Sequence, residues 1–173
     1  AGFADTLAKP FADADWRCAA AAGDGTYCPY PSQVLESAGA PVNEAAINAG
    51  DPSEIERLMT LLNLGGISML IAGTSSPASG GEHLFSHLLD MAAHERGTLP
   101  FALHGTQVGI GCVFSALLYE RILTVARPLP VRRDSERIDV LARRFPETAS
   151  ILRSVVEAKH QADILIAKKL PDI

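Results

Sequence analysis

The segment DPSEIERLMTLLNLGGISMLIAGTSSPASGG, residues 51–81, decides the class of fold. Ser53 is a predicted N-cap, and Glu56 follows three positions later, where a capping box places its acid. A long apolar run comes next, and residues 73–81, rich in Gly, Ser and Pro, then end the pattern. The segment therefore predicts a long helix followed by a sharp break.

Helical periodicity continues on both sides of this segment. Apolar residues recur every three or four positions over residues 3–22, and Pro10 should kink or break that helix because proline lacks an N–H and clashes with the preceding turn. Further helices are predicted at residues 32–37, 81–95, 104–126, 134–145 and 146–169. Because no alternating run or β-α-β rhythm indicates a strand, we predict an all-α, bundle-like domain of about seven helices over residues 1–173.

The composition agrees with a fold of packed helices, and the net charge argues against one class of binding partner. Of the 173 residues, 47% are hydrophobic and only 6% are aromatic, which suits a helical bundle better than a β-sandwich. The formal net charge is −5 and no basic stripe or arm is present, which argues against a nucleic-acid partner. We expect a small-molecule substrate instead, and a homo-oligomer.

Cysteines and apolar segments indicate a cytoplasmic protein without a membrane partner. Cys18, Cys28 and Cys112 are odd in number and widely spaced, so neither a disulfide framework nor a Cys-rich zinc site is predicted. The longest apolar run, residues 65–72, is too short to span a bilayer, and no signal peptide is visible. Since the chain begins without Met, we expect a trimmed protein or part of a longer polypeptide.

The stretch ASGGEHLFSH, residues 78–87, carries two histidines four positions apart. On a helix, His83 and His87 share one face, with Cβ atoms roughly 6 Å apart. Either both bind one metal ion, or one binds the ion while the other contacts the ion's ligand. The alternative, two histidines satisfied in the core or exposed at the surface, is commoner for an isolated pair.

A third histidine makes a metal site more plausible. His104 follows a Gly/Pro turn at the predicted start of the next helix, and a helical hairpin would bring it beside His83. Gly109 and Gly111 permit close approach of a backbone or a ligand, or else mark a tight helix crossing. Both interpretations of the glycines stay open at this stage.

A carboxylate is the remaining ligand that such a site would need. Asp5, inside an apolar helix, is the first candidate, and Asp13, Asp15 and Asp90 are alternatives that periodicity does not separate. Lys9 lies one turn after Asp5. It either forms an ordinary i,i+4 ion pair, or it neutralises a substrate phosphate or tunes the site.

Three blocks of sequence carry a resemblance to a known family: AGFADTLAKPFADADW (residues 1–16), GTSSPASGGEHLFSHLLD (73–90) and LHGTQVGIG (103–111). In this order they resemble the iron-containing alcohol dehydrogenase superfamily, specifically its sn-glycerol-1-phosphate dehydrogenase branch, and the similarity extends loosely through residues 1–125. The resemblance implies a helical domain, of the kind shared with dehydroquinate synthase, that binds metal and substrate. In the family it follows an N-terminal nucleotide-binding domain, and we expect this chain to be the helical half alone.

The resemblance also implies roles for individual residues. Asp5, His83 and His104 match the family's metal ligands, with Zn²⁺ as the ion in this branch and Fe²⁺ or Ni²⁺ as alternatives. His87 would lie beside the substrate as a polar contact or proton relay.

The reaction that the resemblance implies is the NAD(P)-linked interconversion of an sn-glycerol-1-phosphate-like polyol phosphate and its ketone, dihydroxyacetone phosphate. The metal would polarise the ketone oxygen, and hydride would come from the nicotinamide. NAD(P)H would be bound mainly by the absent domain, so the helical part alone should be inactive.

Some positions depart from the family pattern. Ser76 stands where relatives usually carry Arg in a segment S-S-R-P-x-S-G, which bears on phosphate specificity, and Ala4 replaces a usual Gly.

Two other functions are weighed against the dehydrogenase. One is a 3-dehydroquinate-synthase-like lyase with the same architecture and metal logic, and the other is a non-catalytic helical metal-binding domain.

Overall fold

The computed structural model describes residues 2–23, 25–39, 41–99 and 102–124, together with scattered positions between 139 and 164. Within these residues all regular structure is helical and no strand occurs, which confirms the all-α prediction. The helices with defined bounds are α1 (Gly2–Leu7), α2 (Lys9–Ala22), α3 (Pro29–Glu36), α4 (Glu44–Asn48), α5 (Pro52–Ala72), α6 (Gly81–Glu95) and α7 (His104–Thr124).

The chain divides into two compact units. The first consists of Ala1–Cys18 and Tyr27–Thr124, and it contains every candidate site residue. The second consists of Ala19–Thr26 and Val125–Ile173 and lies largely outside the described residues. The helices predicted at 134–145 and 146–169 fall in the second unit, so their bounds lie outside the described residues as well.

The first predicted helix is interrupted, as Pro10 indicates, but the break lies at Ala8. α1 ends one residue before Ala8 and α2 begins one residue after it. Pro10 therefore occupies the first turn of α2, where its missing N–H would have had no partner within the helix. The break separates Asp5, on α1, from Lys9, at the start of α2.

The start of α5 corrects the predicted N-cap at Ser53. The cap is Asp51, whose Oδ1 accepts hydrogen bonds from the Ser53 backbone N–H at 2.9 Å and from the Ser53 hydroxyl at 2.8 Å. Pro52 takes the first helical position, where its fixed φ suits the helix and no donor is needed. Gly73, with φ of 69°, ends the helix in the left-handed conformation that favours glycine.

Two short helices pack on α5 in the first unit. α3 starts at Pro29, three residues before the predicted start, because a proline again serves as the first helical residue. α4 was not predicted. Its N-cap Asn43 accepts hydrogen bonds from the backbone N–H groups of Ala45 and Ala46, but five residues are too few to show a helical period.

Helices α6 and α7 pack closely as an antiparallel hairpin. Glu82, at the start of α6, lies against Gly111, whereas Asp90, one and a half turns before the end of α6, bonds to Gln107 near the start of α7. A Cβ atom at Gly111 would overlap the backbone of Glu82. The glycine therefore sets the separation of the two helices.

Helix α7 also carries α1 on another face. A Cβ atom at Gly109 would lie 3.0 Å from the Cβ of Ala4, so a glycine lets these helices approach closely. Nearby, Ala8, Val108 and Cys112 form a small buried cluster, with Phe11 packed against it. The tight-crossing interpretation of Gly109 and Gly111 thus agrees with the structure, and the crossing lies beside the predicted ligands.

Helix α5 is long and apolar enough to cross a membrane by length and composition alone. An 18-residue stretch within its 21 residues has a mean hydropathy of 1.3, and 11% of that stretch is buried inside the protein. The apolar run considered in the sequence, residues 65–72, is only part of this helix, so the expectation that no segment is long enough was wrong by this criterion. One such helix is weak evidence for a membrane, because the core helices of soluble proteins pass the same test of length and composition.

Candidate metal centre

The three ligands implied by the family resemblance converge from three helices. Asp5 lies on α1, His83 in the first turn of α6, and His104 is the first residue of α7. One ligand atom from each lies within 4.8 Å of the others, and in the described part of the chain no second group of His, Cys, Asp or Glu meets this criterion. His83 Nε2 is 3.0 Å from Asp5 Oδ1, close to the spacing of two ligands on one Zn²⁺ ion.

His83 is held from behind by a fully buried carboxylate. Its Nδ1 lies 2.8 Å from Oε1 of Glu82, and the same oxygen accepts a hydrogen bond of 2.8 Å from the backbone N–H of Gly80. Since a carboxylate only accepts, Nδ1 carries a hydrogen, and Nε2, which faces Asp5 Oδ1, carries one as well. A carboxylate behind a histidine is the usual means of orienting a ligating imidazole.

The charges of these groups depend on one another. Burial alone would lower the pKa of His83, but hydrogen bonds to Asp5 and Glu82 raise it to about 9. Burial alone would raise the pKa of Asp5, but hydrogen bonds from His83 and Lys9 hold it below its usual range. The pKa of Glu82 is likewise lowered, against the effect of burial, by His83 and the Gly80 N–H. The site therefore favours positive charge between two ionised carboxylates.

His104 is supported by a chain of buried polar groups. Its Nδ1 lies 3.0 Å from Oγ of Ser86, which also bonds to Oε1 of Gln107 at 2.8 Å. The Gln107 amide nitrogen donates to Oδ1 of Asp90 at 3.0 Å and to the Ala102 carbonyl at 3.2 Å. His104 itself is exposed.

Lys9 holds the second oxygen of the Asp5 carboxylate. Its ammonium donates to Asp5 Oδ2 and to the Ala78 carbonyl, both at 3.2 Å, and its side chain is 13% exposed. A Cβ atom at Gly65 would lie 3.4 Å from the Lys9 Cε, so the stem packs closely under α5. These contacts agree with an ion pair that fixes Asp5, and a role toward substrate phosphate stays a prediction.

His87 lies at the exposed edge of the cluster. Its ring centroid is 6.4 Å from that of His83 and 6.1 Å from that of His104. It is accessible to solvent, unlike His83. The position suits a group that meets a substrate, and that role stays a prediction.

The other three candidate carboxylates lie outside the cluster. Asp13 accepts a hydrogen bond of 2.7 Å from Arg17, and Asp15 accepts one of 2.6 Å from the backbone N–H of Gly81. Asp90 bonds to the Gln107 amide instead of reaching the histidines. Of the four carboxylates weighed from the sequence, Asp5 is the one that the fold brings to His83 and His104.

The supporting residues Glu82, Ser86 and Gln107 were not predicted. An acid directly before His83 is a weak sequence signal for Glu82. Ser86 and Gln107 gave no usable signal, because their role depends on the register between α6 and α7. That register is set by the close contact at Gly111.

Comparison with known proteins gives one consistent class of relatives, although no protein-family model matches the chain. A glycerol-1-phosphate dehydrogenase [NAD(P)+] of Halalkalibacterium halodurans is 34% identical over 99% of this chain and 47% of its own length. Proteins with the same name from Korarchaeum cryptofilum and Aeropyrum pernix are 40% and 32% identical over 68% and 97% of this chain. The chain spans about half the length of the first and third of these relatives, 47% and 51%.

Proposed function

Since the chain belongs to the glycerol-1-phosphate dehydrogenase branch of the iron-containing alcohol dehydrogenase superfamily, we propose that it is the helical, metal-binding part of an NAD(P)-linked dehydrogenase. The enzyme would interconvert sn-glycerol 1-phosphate, or a similar polyol phosphate, and its ketone, dihydroxyacetone phosphate. The names of the relatives support a dehydrogenase over the lyase alternative. A nucleotide-binding domain would occupy the part of the relatives that this chain does not cover.

The convergence of Asp5, His83 and His104 is the observation that carries the proposal. One carboxylate and two imidazoles are a donor set that Zn²⁺ and similar divalent ions accept, and the depressed pKa of Asp5 keeps its carboxylate ionised. When bound, the ion would supply a Lewis acid that polarises a carbonyl oxygen. The donor set therefore fits the ion that the family implies.

The remaining residues would orient these ligands and meet the substrate. Glu82 fixes the ring of His83, and Lys9 holds the Asp5 carboxylate through Oδ2. His87 is exposed, with its ring centroid 6.4 and 6.1 Å from those of the two proposed ligating histidines, and it would bind a substrate hydroxyl and move a proton to or from it.

Metal analysis of the purified chain tests the site. The wild-type chain should retain one equivalent of Zn²⁺ after gel filtration, and His83→Ala and His104→Ala should lose it. His94→Ala changes an exposed histidine near the end of the same helix α6 and should bind like wild type. Equal metal content in all four proteins would disprove the proposed ligands.

The substrate is tested in the full-length protein. NADH oxidation should be much faster with dihydroxyacetone phosphate than with dihydroxyacetone if the site takes a phosphorylated ketone. Ser76, in the loop between α5 and α6, stands where relatives usually carry Arg, so Ser76→Arg should lower KM for the phosphorylated ketone and leave the other ketone unaffected. Equal rates with both ketones would contradict a polyol phosphate substrate.

A further inference from the structure

We propose that Ser86, Gln107 and Asp90 are positioning residues that keep His104 in the tautomer with hydrogen on Nδ1, so that Nε2 is left as the metal-binding atom. The functional role that we assign to these residues rests on the proposed metal site. The tautomer itself is a property of the chain that can be measured without metal. It follows from the donor and acceptor capacities of four side chains, of which Ser86 and Gln107 are buried, Asp90 is half-buried and His104 is exposed.

The orientation of the Gln107 amide is the first step. Its nitrogen end lies 3.0 Å from the Asp90 carboxylate and 3.2 Å from the Ala102 carbonyl. Both neighbours only accept hydrogen bonds, and the NH₂ group has two hydrogens to give. A flipped amide would bring its oxygen against two acceptors at a residue that is 1% exposed, which burial makes costly.

The direction of the Ser86 hydroxyl follows from that orientation. The Gln107 oxygen now faces Ser86 Oγ at 2.8 Å, and an amide oxygen cannot donate. Ser86 has one hydroxyl hydrogen and is fully buried, so it donates this hydrogen to Gln107. Its oxygen can then only accept in the contact of 3.0 Å with His104 Nδ1.

The tautomer of His104 is the last step. Because Ser86 accepts, Nδ1 must carry the hydrogen, and a neutral imidazole then has its lone pair on Nε2. In His83 the Glu82 carboxylate fixes a hydrogen on Nδ1 directly, and Nε2 also donates, to Asp5 Oδ1, as long as no metal takes its place. Both histidines thus carry a hydrogen on Nδ1, held in His83 by a charged neighbour and in His104 by a relay of three residues that ends on a charge.

Imidazole nitrogen NMR of the full metal-free chain tests the relay, because two-bond couplings distinguish the two neutral tautomers. The spectrum should show His104 with hydrogen on Nδ1 at alkaline pH. Ser86→Ala and Gln107→Met should shift His104 toward the other tautomer. Zn²⁺ affinity, measured by chelator competition, should fall about 10- to 100-fold, as is usual when a group behind a ligating histidine is lost.

Two control variants separate the relay from a general loss of packing. Ser68→Ala removes a fully buried serine hydroxyl that bonds within its own helix to Gly65, and it should change neither measurement. Asp90→Asn keeps an oxygen that accepts from Gln107 and should preserve the wild-type tautomer.

The outcomes distinguish this inference from the proposed function. A wild-type His104 with hydrogen on Nε2, or a tautomer that Ser86→Ala leaves unchanged, would overturn the relay even if metal binds. The expected tautomers in a chain that binds no metal would support the relay and refute the metal site. If Gln107→Met fails to fold, Ser86→Ala decides alone.

Discussion

Glu82 is a charged residue that folding removes from solvent completely. An isolated buried carboxylate costs several kcal/mol, so it must be paired and hydrogen-bonded. Its Oε1 bonds to His83 and to the Gly80 N–H, whereas Oε2 has no hydrogen-bond partner within the described residues. At the scale of single residues, one oxygen of this buried carboxylate is fully hydrogen-bonded and the other is not. We therefore infer that the role of Glu82 is to orient His83.

Replacing Glu82 by Gln should weaken metal binding while retaining the fold. The amide has nearly the same shape, but it is neutral and polarises the His83 ring less, so Zn²⁺ affinity should fall about 10- to 100-fold. Isothermal titration calorimetry measures this loss. Glu95→Gln, an exposed change on the same helix, is the control, and equal affinities in both variants would show that the carboxylate charge is unimportant.

Replacing Lys9 by Met should destabilise the chain even without substrate. The change leaves Asp5 Oδ2 and the Ala78 carbonyl without their donor, at a cost of about 1–3 kcal/mol in the free energy of unfolding. Arg17→Met removes another i,i+4 pair, whose arginine is 57% exposed, and should cost much less because solvent screens an exposed ion pair. Urea denaturation compares the two. A Lys9 variant as stable as wild type would favour the substrate role alone.

At the scale of helices, the sequence predicted where several helices begin and end, but it did not predict how those helices pack against one another. The pattern predicted α6 with its observed bounds because GTSSPASGG breaks the chain before it and RGTLP after it. The break near Pro10 was also predicted, since its cause is local. Glycine at 109 and 111 left two interpretations open, because a glycine in a sequence does not show which atom it approaches.

The same limit applies to the site. Asp5, His83 and His104 were assigned through a family resemblance, whereas spacing alone left four carboxylates open. Ser86 and Gln107 act through a contact between helices, and a single sequence does not determine helix register. The chemistry of a residue can be read from its type, but its partners require the fold.

A pair of glycine substitutions tests the helix packing. Gly111→Ala should destabilise the chain by about 1–3 kcal/mol or more, because the added Cβ overlaps the Glu82 backbone, which cannot move independently of α6. Gly66→Ala, on α5, meets nothing within 4 Å and should stabilise the helix by about 1 kcal/mol. Thermal unfolding monitored by circular dichroism measures both. Similar melting temperatures for the two variants would contradict the close approach.

At the scale of the whole molecule, the chain and its relatives differ most in length. The chain covers 47% of the first relative and 51% of another, yet nearly all of the chain is matched. The described residues include the proposed metal ligands but contain no strand from which a phosphate-binding turn could follow. Metal and nicotinamide should therefore be bound by different parts of the full-length protein.

This division predicts a separation of the two binding activities. The chain alone should bind Zn²⁺ but should not enhance or shift NADH fluorescence, whereas the full-length protein should do both. Fluorescence titration, with and without Zn²⁺, measures the difference. Saturable NADH binding by the chain alone would refute the proposed division of labour.

The contact at Gly111 has a consequence for anyone who would redesign this protein. A proposed ligand such as His104 could be exchanged for another donor to alter the preference for one ion over another, because the backbone beneath it need not move. Gly111 admits no such exchange, since any larger residue pushes apart the two helices that carry both histidines. A library aimed at new metal specificity should therefore vary the donors and leave untouched a position that has no side chain and performs no chemistry.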